Sequence, residues 1–267
     1  MRILLTGGSG FLGTSLQRHW RLRGHEVCDS GRCRLGEALP SSLLEGCEAM
    51  VHLAHDFGRD ATARNREGTM EWFEAAHRTG VRRQLFASSF SARADSPSRY
   101  GETKYAIERC ILERGAMVVR PGLVAGNGGM FAQMVRRLRR FSIVPLVKPD
   151  TRSVAVVSLE DFLAAMTKLI EEHDSGAWNL FAPSLLTGRE FTQIVWSGLG
   201  KSGVIIGVPP ALAMVCLRVA GATLALDSVK GQLANSAPLH RSDLERLLTR
   251  PADAAAAVES AAREVSA

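Results

Sequence analysis

The chain predicts a doubly wound α/β fold, a mostly parallel sheet with helices on both faces and a small C-terminal lobe. Three observations predict it. Short apolar runs alternate with amphipathic helical stretches through the first half. A glycine-rich turn joins the first apolar run to the first helical stretch. In the middle of the chain, Tyr100 and Lys104 stand at helical spacing after a run that ends in two serines.

The elements follow in order. Strands are predicted over 2–6, 26–30, 49–54, 84–88 and 117–120, each rich in Val, Ile, Leu or Phe as strands buried on both faces are. Helices are predicted between them over 11–23, 65–79 and 99–113, and Gly24 and Gly80 suit helix C-caps. This alternation requires right-handed crossovers. After Pro121 the pattern changes. Helices are predicted over 130–140, 158–172, 187–199 and 210–225, with short strands at 153–157, 177–181 and 203–207. The 267 residues read as one domain: 1–150 mainly dinucleotide-binding, 151–250 mixed and forming the substrate lobe, and 251–267 a peripheral Ala-rich helix or frayed tail.

Composition narrows the class. Hydrophobic residues make up 46% and charged residues 22%, which suits a folded globular chain rather than a disordered one. The net charge of +6 favours anionic small ligands. No basic module interleaved with aromatics appears, so nucleic acid is not an expected partner. The five cysteines, Cys28, Cys33, Cys47, Cys110 and Cys216, are odd in number and form no CxxC, which argues against a disulfide framework or a zinc site. The N-terminal residues run straight into a strand pattern with no leader-like apolar stretch, so a cytoplasmic location is expected. Residues 204–226 are long and apolar, but Pro209, Pro210 and Arg218 interrupt them. A buried lobe helix is the reading taken, with peripheral membrane contact as the lesser alternative.

The fingerprint Thr6-Gly7-Gly8-Ser9-Gly10-Phe11-Leu12-Gly13 places glycines at G-x-x-G-x-x-G spacing between a strand and a helix. Small residues there permit a tight turn, close approach of a pyrophosphate and close helix packing, with helix amides facing the phosphates. This is the signature of a Rossmann-type sheet that binds a dinucleotide. Cofactor choice is read after the second strand, where Gly31 occupies the position of a ribose-reading acid and Arg32 follows it. An arginine there favours a 2′-phosphate, hence NADP(H); Asp29 keeps NAD(H) open under another register. At Tyr100 and Lys104, an ammonium near a phenol lowers its pKa from about 10 and lets tyrosine exchange a proton with a substrate oxygen. Serines at 88 and 89 would hydrogen-bond the same oxygen.

These motifs together resemble the NAD(P)-dependent epimerase/dehydratase branch of the short-chain dehydrogenase/reductase superfamily. Val51-His52-Leu53-Ala54-His55 resembles its cofactor-flanking strand, and Asn65 to Thr69 its N-x-x-G-T helix opening. Phe86 to Ser89 with Tyr100 and Lys104 resemble the catalytic strand and helix, and Arg120-Pro121-Gly122 the turn beside the nicotinamide. Residues 157–162 resemble a V-H-V-D-D-L segment with Ser158 in place of its histidine. The resemblance covers about residues 1–200. It implies a Ser89-Tyr100-Lys104 triad acting by hydride transfer on a hydroxyl or keto carbon of a nucleotide-sugar or related molecule. It also implies a cofactor site drawing on Gly7, Gly10, Phe11, Leu12, Gly13, Arg32, Leu53, Ala54, His55, Tyr100, Lys104 and Pro121. No metal is expected, and a homodimer is left open. A non-catalytic NADP(H)-binding protein and a membrane-surface oxidoreductase acting on a lipid-like substrate are the alternatives.

Three departures qualify this. Only ten residues separate Ser89 from Tyr100, as in compact atypical members. No carboxylate stands where sugar dehydratases carry an acid, since the sequence there is Ser89-Phe90-Ser91, so dehydration is disfavoured. The stretch from Arg32 to Leu43 is too short for a strand plus helix, so an outer strand is expected to be missing. The run Arg136 to Arg140 and Arg152 are read mainly as solvated, with phosphate contacts as the alternative. Trp178 and Trp196 are read as core.

Overall fold

A computed structural model describes residues 1–58, 60–148, 153–172, 175–219 and 241–266. Arg152, and residues 220–226 of the apolar segment together with the end of the predicted helix 210–225, lie outside them.

Six strands form the main sheet: β1 (Arg2–Thr6), β2 (Glu26–Asp29), β3 (Ala49–His52), β4 (Arg83–Ala87), β5 (Met117–Pro121) and β10 (Gly176–Leu180). Their order is β10-β5-β4-β3-β1-β2, and every pair from β2 to β5 is parallel. The register sets Leu5 beside both Asp29 and Val51, so these strands end together at one edge. Ile3, Leu4, Leu5, Met50, Val51 and Leu85 are fully buried, as strands covered on both faces require. No strand lies between β2 and β3. That stretch holds only the short α2 (Ser41–Leu44), and β2 is the sheet's edge.

Contacts divide the chain into two compact units. The first comprises Met1–Ala94, Glu102–Arg120 and Leu163–Trp178. It carries α1 (Phe11–Leu22), α3 (Thr62–Arg78) and most of α4 (Arg99–Glu113). Trp72, Leu4, Met50 and Leu44 pack on one side of its sheet, and Phe73, Phe86, Ile107, Ile111 and Val118 form a further cluster.

The second unit comprises Asp95–Gly101, Pro121–Phe162 and Asn179–Ala267. Three small sheets pair β6 (Leu123–Ala125) with β9 (Val156–Ser158), β8 (Ser153–Val154) with β11 (Leu186–Thr187), and β7 (Ile143–Val147) with β12 (Val204–Val208). Its helices are α5 (Gly129–Arg140), the start of α6 (Leu159–Glu172), α7 (Gly188–Gly198), α8 (Pro210–Val219), α9 (Leu244–Leu247) and α10 (Ala254–Ser266). A Thr187–Glu190 capping box opens α7. Ser158 caps α6: its hydroxyl accepts from Asp161 N at 3.0 Å and donates to Asp161 Oδ2 at 2.8 Å. That accounts for a serine at a position where the resembled segment carries histidine.

The Ala-rich end requires a correction. It is neither peripheral nor frayed over 254–266. Ala254, Ala257, Val258, Ala261 and Ala262 of α10 are buried, and four of them join the cluster of Phe131, Val135, Val195 and Trp196. Alanine is what lets α10 come close. A Cβ added at Gly198 would lie 2.9 Å from both Ala262 Cβ and Glu259 O. A run of small residues reads as an exposed helix when its partner glycine lies far away in sequence.

Candidate active site

The glycine loop follows β1, whose Thr6 side chain is fully buried. Thr6 Oγ1 accepts from Leu53 N and Ala54 N, both at 3.2 Å, and so ties the ends of β1 and β3 together. Gly7 has φ +70°, a left-handed conformation that favours glycine, and a Cβ there would lie 2.9 Å from Ala54 N. A Cβ at Gly13 would collide with the Gly7 carbonyl and the Gly8 backbone. Gly7 and Gly13 are thus explained by protein packing alone. Gly10 is not: a Cβ there meets only Gly7 O, at an ordinary 3.4 Å. Gly10 is exposed and is the N-cap of α1, with no side-chain cap bonded to the first-turn amides of Phe11, Leu12 and Gly13. Those amides and the positive end of the helix dipole suit an anion.

Two charged residues stand after β2. Asp29 ends the strand with its carboxylate packed over Gly8, where any Cβ would strike it, and its Oδ1 accepts from Gly31 N at 3.2 Å. Arg32 lies exposed in the following turn. The strand therefore delivers an acid, not Gly31, to its end beside the glycine loop.

The loop after β3 carries Leu53, Ala54 and His55, all half-buried. Asn65 of α3, 2% exposed, clasps this loop: its Oδ1 accepts from Asp56 N and its Nδ2 donates to Asp56 O, both at 2.8 Å. Gly68 lets α3 touch the loop at Leu35 and Gly36, 2.5 Å from Gly36 N for an added Cβ. The Asn65–Gly68 spacing is thereby a device for holding two loops. Burial, and then the charge of Lys104, lower the His55 pKa to about 3, while burial lowers His52 to about 4. Both imidazoles are neutral at physiological pH.

Lys104, on α4, is buried at 3% exposure. Its Nζ donates to Ala87 O at 2.7 Å and lies 4.6 Å from the centre of the Phe86 ring. Burial lowers its pKa to about 7. Ser88 and Ser89 continue β4 but have different partners. Ser88, 3% exposed, donates from Oγ to Glu108 Oε2 at 2.7 Å. Ser89, half-buried, shares a 2.9 Å hydroxyl contact with Ser91, whose backbone N–H also donates to Ser89 Oγ at 3.2 Å. Tyr100, half-buried, is in the first turn of α4, one turn before Lys104. Ser98 Oγ accepts from Gly101 N at 3.0 Å, which secures that turn. Pro121 ends β5.

Sequence reasoning missed Glu108. This carboxylate is 1% exposed and takes two hydrogen bonds from Arg120 Nε, both at 3.1 Å, and another from its NH2. It joins α4 to Arg120 of β5 and to Ser88 after β4, the residue next in sequence to Ala87, whose carbonyl accepts from Lys104. The signal that could have found it is its spacing, four residues after Lys104 and eight after Tyr100, on one helical face.

A parallel, doubly wound sheet whose first turn is a glycine loop at a helix N-terminus defines the Rossmann-type class of proteins. Within that class the assignment is direct. The family model described as "NAD dependent epimerase/dehydratase family" matches residues 3–180, and the chain belongs to this family. The human epimerase family protein SDR39U1 is 26% identical over 272 residues, covering 87% of this chain and 90% of that protein. A ceramide reductase from Caulobacter vibrioides is 28% identical over 194 residues, covering 61% of this chain and 59% of that protein. The crystal structure of human SDR39U1 (isoform 2) with NADPH superposes with a TM-score of 0.70 at 22% identity, over 100% of this chain and 99% of that one, and shares the fold.

Proposed function

We propose that the chain is an NADP(H)-dependent reductase or epimerase. It would act on a hydroxyl or keto carbon of a small substrate such as a nucleotide-sugar. The observation that carries this reading is Lys104, a lysine buried against the Ala87 carbonyl with its pKa lowered to about 7, one helical turn from Tyr100. Burying a lysine is costly, and a fold that retains one at the mouth of a parallel sheet supports a role in proton chemistry.

The residues present fit a dinucleotide. Gly10 is the one glycine of the loop that the protein's own packing leaves unexplained, and the α1 amides beside it suit a pyrophosphate. Arg32, exposed after β2, would meet a 2′-phosphate, and the NADPH bound to the human relative's structure supports that preference. Asp29, at the strand end against Gly8, would accept ribose hydroxyls instead, so NAD(H) remains the second choice.

The bound nicotinamide supplies or accepts the hydride. Tyr100 gives its phenolic proton to the substrate oxygen during reduction and takes it back during oxidation. Protonated Lys104 favours the phenolate and would also donate to the cofactor ribose. Ser89 is the serine of choice, because the Ser88 hydroxyl is committed to the buried Glu108 carboxylate while the half-buried Ser89 hydroxyl meets only the hydroxyl and backbone N–H of Ser91 among the described residues. Glu108 and Arg120 position this set without touching the substrate.

Tyr100→Phe tests the reading. It keeps the ring but removes the proton donor, and turnover should fall by about 10²–10⁴-fold with cofactor affinity nearly unchanged. Screening nucleotide-sugars and ketones provides the assay; net NADPH oxidation identifies a reductase and a silent change of stereochemistry an epimerase. Wild-type turnover in Tyr100→Phe would overturn the triad. A lipid-like substrate is the second reading, favoured by the similarity to the ceramide reductase.

A further inference from the structure

The pair of strands β7 and β12 is apolar on both faces, and among the described residues only one of them is covered. Their parallel register sets Ile143 beside Val204 and Pro145 beside Ile206. The alternate residues, Val144 and Ile205, pack on the core of the second unit. The outward residues do not: Ile143 is 61% exposed, Val204 59% and Ile206 48%, with Phe141 beside them at 54%. Parallel strands with hydrophobic residues on both faces belong in the interior, so this face is built for something that covers it.

Charge says what covers it. Residues 129–148 and 201–219 supply α5, β7, β12 and α8, and they contain seven lysines and arginines and no Asp or Glu. The whole chain has a net charge of only +6, so the rest of it is close to neutral. Arg136, Arg137, Arg139 and Arg140 are all exposed at the end of α5, and none forms an ion pair among the described residues. Arg140 lies 5.7 Å from the centre of the Phe141 ring, which brings the cationic end directly onto the apolar strip. Lys201 Nζ donates to Leu138 O at 3.3 Å and Arg139 O at 2.7 Å, fixing the end of α5 to the start of β12. The cations and the apolar strip are therefore held as one surface.

We infer that this surface docks the protein on an anionic lipid bilayer, with Phe141, Ile143, Val204 and Ile206 entering the acyl boundary and the α5 arginines on the phosphates. A second copy of the chain fits less well. A two-fold contact through this face would set one arginine cluster against another with no acid between them. A nucleic acid would satisfy the arginines and leave the apolar strip uncovered. The inference rests on neither reading of the substrate.

The test is flotation of the full chain with vesicles of phosphatidylcholine alone and of phosphatidylcholine with phosphatidylglycerol. Binding is expected to the anionic vesicles only and to weaken as salt is raised. Replacing Arg139 and Arg140 together by Gln should weaken it by about 25-fold, about fivefold for each charge. Ile143→Ser with Ile206→Ser should weaken it as well while leaving its salt dependence unchanged. All four positions are exposed, and the wild-type lipid and salt dependence needs no variant. No binding, or equal binding to neutral vesicles, overturns the inference. So does tight binding of a DNA duplex that ignores the isoleucine changes, or a concentration-dependent dimer that Ile143→Ser dissolves.

Discussion

Lys104 carries a cost in stability that its proposed role would offset. Its pKa is about 7 in the fold, against an ordinary value of 10.5 when unfolded. Between those two values the unfolded chain binds more protons, so stability rises with pH across that window; below about pH 7 both states are protonated and the penalty is complete. His52 behaves likewise between about 4 and 6.5, staying neutral in the fold while the unfolded chain takes up a proton, and acidification through that range removes stability. Lys104→Met keeps the length of the side chain without the amine. Thermal melts at neutral pH should therefore show equal or greater stability, with the rise between pH 7 and 10 flattened. The same variant should bind NADPH more weakly. A variant destabilised throughout would show that the hydrogen bond to Ala87 O outweighs the burial of the amine.

At the scale of elements, the glycine loop separates packing from binding. Valine at Gly13 would drive α1 into the Gly7 carbonyl, so Gly13→Val should lower stability by about 1–3 kcal/mol or more in chemical denaturation. Gly10→Val meets no such wall and should stay folded within about 1 kcal/mol, an N-cap effect, yet lose cofactor. Equal destabilisation by both would mean the loop is purely structural. The loop was legible in the sequence because its strand, turn and helix are contiguous and each glycine answers a local need. The same holds for Tyr100 and Lys104 on one helix. What escaped depended on distant partners. β7 carries Pro145 and pairs with β12 some sixty residues on, so nothing near it announces a strand. Glu108 reads as a solvated helix position until Arg120 and Ser88 reach it. The sequence sets Asp29 within the predicted strand 26–30, and only the register Leu5–Asp29 brings it to the glycine loop in place of Gly31.

At the scale of the whole molecule, family and charge point to different surfaces. The match over residues 3–180 accounts for the sheet, the glycine loop and the Tyr100–Lys104 helix. The second unit, which lies only partly within that match, holds the α5 arginines and the apolar strip from which the docking surface is inferred. No helix among the described residues is long and apolar enough to cross a membrane, so contact with lipid would be through a surface. The account stands on cofactor binding at the glycine loop, and calorimetric titration of NADPH and NADH into wild type, Gly10→Val and Arg32→Ala measures it directly. Wild type should bind NADPH at one site per chain and more tightly than NADH. Gly10→Val should bind neither, and Arg32→Ala should lose about 1.5–3 kcal/mol toward NADPH and little toward NADH. Undiminished binding by a folded Gly10→Val, or no binding of either dinucleotide by wild type, would contradict the account.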